Sequence, residues 1–226
     1  MDWQPYKDHF ARSLAAVPPE QRVELLRLGM APFASDPALT LRPAKLMVVS
    51  MKPYGAPDRS YACGWDERAV TPGLHRWYDG GRQGSNFVRE ADELLTYLID
   101  RLGLSVPAHD ILNVYAYFYR AADAKQLREL GLDLLDCTEF HRAFLATVQP
   151  QVILCIGNGA APSAFATYRA LLDGDVREHR IAPRLLLRSF TTPDGLRVIG
   201  VPHLSYIRAA PLLAAVGTLL EEGDGQ

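Results

Sequence analysis

Four short segments hold side chains with usable chemistry: Lys52-Pro53-Tyr54-Gly55, Asn113 with the run Tyr115 to Arg120 behind it, Gly157-Asn158-Gly159, and His203-Leu204-Ser205. An ammonium, a carboxamide, an imidazole and a hydroxyl, together with backbone N–H groups at a helix start, are the donors and acceptors that hold a planar heterocycle beside a phosphate. Taken singly, each has an ordinary reading. Asn113 sits in an apolar run and could satisfy a buried backbone group. A lone His after a strand is commonly structural. The tyrosines near 117 suit a core as well as a stacking platform. Gly157-Asn158-Gly159 lacks the G-x-G-x-x-G spacing and a phosphate-binding lysine, so no nucleotide cofactor is expected. Arg120, Arg188 and Arg208 read as solvated charge. What sets the four segments apart is position, because each follows directly on an apolar run.

Those runs read as strands. Leu46 to Ser50, Ile111 to Phe118, Gln151 to Ile156 and Arg197 to Val201 are nearly continuous in apolar residues, the pattern of strands covered on both faces. Leu185 to Ser189 is a further candidate, turned at Pro193-Asp194-Gly195. Helical spacing covers residues 9 to 30 with a break at Pro18-Pro19, then 86 to 102, where Phe87, Ala91, Leu94, Leu95 and Leu98 share a face. Further helices are expected over 136 to 148, 162 to 172 and 208 to 220. Residues 58 to 84, rich in Gly, Arg and aromatics without a period, read as a long surface loop. Strands alternating with helices predict an α/β fold, a parallel sheet covered on both sides. In such sheets ligands bind at the carboxyl ends of the strands, which is where the four segments fall.

The 226 residues fit one domain with a core of its own, a helical extension over 1 to 45 packed on it, and a flexible tail over 221 to 226. A formal charge of -2 excludes a protein that coats nucleic acid by net charge, though not a local basic cleft. Three scattered cysteines form no C-x-x-C pair, so neither a zinc ribbon nor a disulfide framework is expected. Glu139 and His141, two apart on a helix, face differently, and no metal site is expected there. No apolar run spans a bilayer, and Met1 to Pro5 has no secretory character, so the expectation is a cytoplasmic monomer.

In its motifs and their order the chain resembles the uracil-DNA glycosylase superfamily over roughly residues 45 to 215. Ser50-Met51-Lys52-Pro53-Tyr54-Gly55 stands in register with the family's first motif, G-Q-D-P-Y-H, and Lys52 to Pro57 is loosely similar to an N-P-G-P-F-G loop. Leu112-Asn113 looks like the end of the second strand, whose Asn reads the uracil edge. Val152 to Ala161 is similar to the third strand and its glycine-rich exit. His203-Leu204-Ser205-Tyr206 is similar to the last motif, H-P-S-P, without its prolines. Three cysteines exclude the branch with a four-cysteine cluster.

The resemblance implies a three-layer α/β/α fold around a central four-stranded parallel sheet. It also implies a DNA repair enzyme that hydrolyses the N-glycosidic bond of a deaminated base flipped from DNA, with no cofactor and no metal. His203 and Lys52 take the catalytic positions, and Asn113, Tyr54 and either Tyr61 or Trp65 hold the base. Ser205, Gly157, Asn158, Gly159, Arg120 and Arg208 meet DNA phosphates. Tyr206, Ile207 and Arg208 stand where the family's wedge fills the emptied stack. Lys52 departs from the pattern, because active relatives have an Asp or Asn there that positions water. An ammonium at contact distance opposes an oxocarbenium-like sugar. Three readings stay open. Lys52 faces a phosphate while Asp58 or Asp66 holds the water, or it acts as a partly neutral nucleophile. Otherwise the chain only binds a nucleic acid or a nucleobase-containing ligand. A small-molecule hydrolase has no support, as no G-x-S-x-G elbow occurs.

Overall fold

Each apolar run alternates between two cores. In β1 (Leu46–Ser50), Leu46 and Val48 enter one cluster while Met47 and Val49 enter the other. β3 (Val152–Ile156) does the same, with Val152, Leu154 and Ile156 on one face and Ile153 and Cys155 on the other. A strand buried on both faces must be apolar at every position, which is why these runs lack polar alternation. The computed structural model describes residues 2–53 and 86–221. Among these no helix is long and apolar enough to cross a membrane.

The chain opens with α1 (Gln4–Ala16) and α2 (Pro19–Leu28), separated at Pro18 and each with proline in its first turn. Tyr6, Phe10, Val17 and Leu25 carry this segment into the same core as Met47 and Val49. A short α3 (Pro37–Thr40), capped by the Asp36 side chain at Ala38 N–H, leads into β1. After α4 (Asn86–Arg101) come β2 (Leu112–Tyr115), α5 (Ala124–Glu129), α6 (Thr138–Val148), β3 and α7 (Ala164–Leu171). β4 (Arg177–Ala182), β5 (Leu185–Thr191), β6 (Arg197–Val201) and α8 (Ala210–Glu221) complete the fold. α1, α2, α6 and α7 cover one face of the sheet, and α4 and α8 cover the other.

The sheet corrects one expectation. It has six strands, in the order β2-β1-β3-β6-β5-β4, rather than four. The first four run parallel, while β5 and β4 add on as an antiparallel hairpin. β4 reads Arg-Glu-His-Arg-Ile-Ala, and its residues are exposed or half-buried. An edge strand held by pairing to β5 needs no apolar run, so hydrophobic patterning does not reveal it. β2 also ends at Tyr115 rather than Phe118. Ala116 and Tyr117 still donate to Ser50 O and Met51 O, at 2.8 and 3.0 Å, but Phe118 O turns to accept from Ala31 N–H at 2.8 Å. Residues 30–35 seal the outer edge of β2, with Ala34 N–H on Asn113 O at 2.8 Å and a bridge between Phe33 and Val114.

Candidate active site at the carboxyl edge

β1, β3 and β6 end in register: Ser50 pairs with Ile156, and Ile156 with Val201. Lys52, Gly157 and His203 therefore leave neighbouring strands at one level. With strands about 4.8 Å apart, the β1 and β6 exits stand roughly 10 Å from each other. β3, between them, ends in Gly157 at φ +115°, a left-handed value that favours glycine, so no side chain enters the lane from that point.

Lys52 is half-buried. Its ammonium donates to Ala121 O, and to Ala122 O at 3.3 Å. Burial lowers its pKa to about 8, with Asp123 opposing the fall. His203 is half-buried too, and its pKa is lowered first by desolvation and then by the charge of Lys52. Its Nδ1 accepts from Ser205 N–H at 3.3 Å. The proton of the neutral ring therefore sits on Nε2, which has no hydrogen-bond partner among the described residues. The imidazole lies against Phe87 of α4, with ring centres 5.2 Å apart, and against Tyr206 at 5.8 Å.

Asn113 is fully buried on β2, one strand beyond β1. Its backbone N–H donates to Ser35 Oγ at 2.9 Å, and its Oδ1 accepts from Ser50 Oγ at 3.3 Å. The carboxamide thus lies within the sheet beneath Ser50, two residues short of the carboxyl edge. The sheet brings Lys52, Gly157 and His203 to this edge, whereas Asn113, level with Val48, lies two residues inside the end of β2 rather than at it, and other candidates are engaged elsewhere. Asn158 donates its amide hydrogens to Leu186 O at 2.6 Å and Gly200 O at 3.2 Å, stitching the β3 exit to β5 and β6. Arg188 pairs with Glu178 at 2.9 Å and donates to Asn158 O at 2.7 Å. Arg120 is buried rather than solvated, because its segment packs beneath the α2 exit, with its N–H on Gly29 O. Gly159, Ser205 and Arg208 are exposed, as is Tyr206 at 88%. Tyr54, Tyr61, Trp65, Asp58, Asp66, Cys63 and the tail over 222–226 lie outside the described residues.

Sequence reasoning missed two contributors. Phe87 reads in the sequence as part of the core-facing stripe of α4, and the fold turns it against the His203 ring. Glu90, a buried carboxylate, accepts from Ala209 N–H at 2.8 Å and from the Arg89 guanidinium at 2.7 and 3.0 Å. The Ala209 N–H, and after it Arg89, hold the Glu90 carboxyl below its ordinary pKa. Glu90 thereby fixes the start of α8 and one end of the loop that carries His203. A signal was available: Glu90 falls three residues after Phe87 and four before Leu94, inside an apolar stripe where a carboxylate needs a reason.

His141 has both ring nitrogens engaged, Nε2 on Ala116 O at 3.0 Å and Nδ1 with the Tyr168 hydroxyl at 3.1 Å. Glu139 points to Arg12 at 3.5 Å. Among the described residues no three His, Cys, Asp or Glu side chains gather as a metal site. Cys137 and Cys155 are buried free thiols, and burial pushes Cys137 up to about 12, which keeps it protonated. In comparisons with known proteins, no family model, no curated protein and no solved structure matches this chain.

Proposed function

We propose that the chain is a uracil-DNA glycosylase-like repair protein that cleaves the N-glycosidic bond of a deaminated base extruded from DNA. The observation that carries this reading is the pairing of a neutral, half-buried His203, its Nε2–H unengaged, with the nearby positive charge of Lys52. Such a pair favours negative charge developing on a base oxygen. His203 donates to that oxygen as the bond to C1′ breaks, and a preorganised donor of this kind commonly contributes about 3 kcal/mol to the transition state. Lys52 lies farther off, tied to two carbonyl oxygens, and acts on the same anion through its field. Asn113 meets the base edge from beneath Ser50. Water attacks C1′, leaving a hydroxyl on the sugar, and its proton ends on the departing base. By the same resemblance Tyr54 and an aromatic at 61 or 65 line the base and Tyr206 fills the vacated stack, and because Lys52 replaces the family's water-positioning residue, Asp58 or Asp66 holds the water.

A second reading rests on Lys52 itself. If its ammonium prevents an oxocarbenium-like sugar from forming, the chain is a nucleic-acid or nucleotide-binding module. Excision assays on uracil-, hypoxanthine- and xanthine-containing oligonucleotides separate the two. Release of free base by the native protein, lost in His203→Ala, supports the enzyme. Binding without release on every substrate leaves the module, and release from Lys52→Asp alone marks a repurposed scaffold.

A further inference from the structure

β4 is the strand that hydrophobic patterning did not foresee, and the hairpin it forms with β5 reaches the candidate site. Arg188 of β5 pairs with Gly200 of β6, so Leu187 lies level with Val201, where β6 ends. Leu186, Leu185 and the Pro183-Arg184 turn run on past that level, on the side from which His203 departs. At about 3.3 Å per residue, Arg184 stands roughly 10 Å beyond the carboxyl edge. The hairpin is braced toward the cleft, because Asn158 at the β3 exit donates to Leu186 O and Arg188 donates back to Asn158 O.

Its charge is lopsided. Following Asp173 and Asp175, residues 177–184 contain Arg177, level with Ile199 two residues inside the edge, and Arg180 and Arg184 beyond it, against one acid, Glu178, in a chain whose net charge is -2. Glu178 is taken by Arg188. The three arginines are exposed, and none has an acidic partner among the described residues. Arg180 donates to Pro183 O at 3.1 Å, which orients it without neutralising it. Charges on an edge strand also discourage sheets from pairing, but that purpose requires no arginine at the turn.

We infer that this hairpin is a finger that contacts the phosphate backbone of a nucleic-acid strand running along the carboxyl edge, outside the base pocket. The inference rests on the nucleic-acid reading given above and extends it to residues outside the base site. Guanidinium groups suit phosphate because they present paired donors, and each contact releases condensed counterions. Binding through the finger is therefore steeply salt-dependent and indifferent to sequence.

The test uses a labelled oligonucleotide of unmodified bases, single-stranded and duplex, titrated with the full chain at several salt concentrations. An Arg177→Gln, Arg180→Gln, Arg184→Gln triple variant is expected to bind at least about tenfold more weakly at low salt. The slope of log Kd against log salt should fall by roughly 2 to 3, at about 0.7 to 0.9 per lost contact. Arg184→Gln alone should give about a third of that change. A Lys45→Gln, Arg128→Gln, Arg142→Gln variant removes equal charge from other exposed positions and should alter the slope far less. Equal effects of the two triple variants, or no salt-dependent binding by the native chain, would overturn the finger. Base release is measured on the same proteins. Release with an unchanged hairpin slope defeats the finger alone, and a lowered slope without release by the native chain defeats the glycosidase alone.

Discussion

His141 and His203 are both pushed below the ordinary histidine pKa by burial, yet their surroundings differ. His141 is enclosed between α6, α7 and the β2 exit, and each ring nitrogen has a partner. His203 stands at the open end of β6 with one nitrogen held and the other unengaged, in the field of a lysine. Desolvation alone therefore does not distinguish a site from a strut. What distinguishes them is whether polar capacity is left over and whether a second charge faces it.

The largest expected difference between the two regions is in stability. His141→Ala removes two buried hydrogen bonds and leaves a cavity, so about 3 to 5 kcal/mol should be lost, lowering Tm by roughly 10 °C. His203→Ala should cost less than about 1 kcal/mol of stability, measured in the same urea titrations, while reducing base release ~100- to 1,000-fold. If the two substitutions destabilise equally, the contrast fails.

The acid limb sharpens it next. His141 has a folded pKa of about 4 against 6.5 for the ordinary group, so between these values the unfolded chain binds more protons. Its contribution is thus complete above pH 6.5 and is lost as pH falls toward 4, up to about 3 kcal/mol. Urea midpoints followed from pH 7 to pH 4 should drop steeply in the native chain and less in His141→Gln. Lys52 works in another window. Its folded pKa of about 8 lies below the ordinary 10.5, so stability should rise between pH 8 and 10.5, and Lys52→Met should lose that rise.

Glu90 comes third. Glu90→Ala leaves the Ala209 N–H without its acceptor and should cost about 1 to 3 kcal/mol. Glu90→Gln keeps an acceptor and should recover part of that, along with the His203 environment read by imidazole NMR shifts. Tyr206→Ser is the smallest, within about 0.5 kcal/mol in stability because the ring is exposed. Its effect should fall on oligonucleotide affinity instead.

How legible the molecule was follows from the same physics. The buried parallel strands announced themselves, since a strand covered on both faces has few other ways to read, and Arg197–Val201 matches its expected bounds. The carboxyl-edge rule pointed to Lys52 and His203 without knowledge of strand order, whereas Asn113 falls two residues inside the end of β2. β4 stayed hidden because its stability comes from pairing with β5 rather than from an apolar face of its own. Asn158 read as a phosphate-turn residue, but its partners, Leu186 and Gly200, are 28 and 42 residues away, and no local spacing reveals such contacts. Glu90 was legible only as an oddity in a stripe, and its meaning needed Ala209, 119 residues on.

The most direct test of the shared edge is the titration of His203 by NMR in the native chain and in Lys52→Met. The account predicts a midpoint below the ordinary histidine value in the native protein and a shift upward once the lysine charge is gone. A midpoint that stays put would contradict it, because Lys52 and His203 would then not share one electrostatic environment.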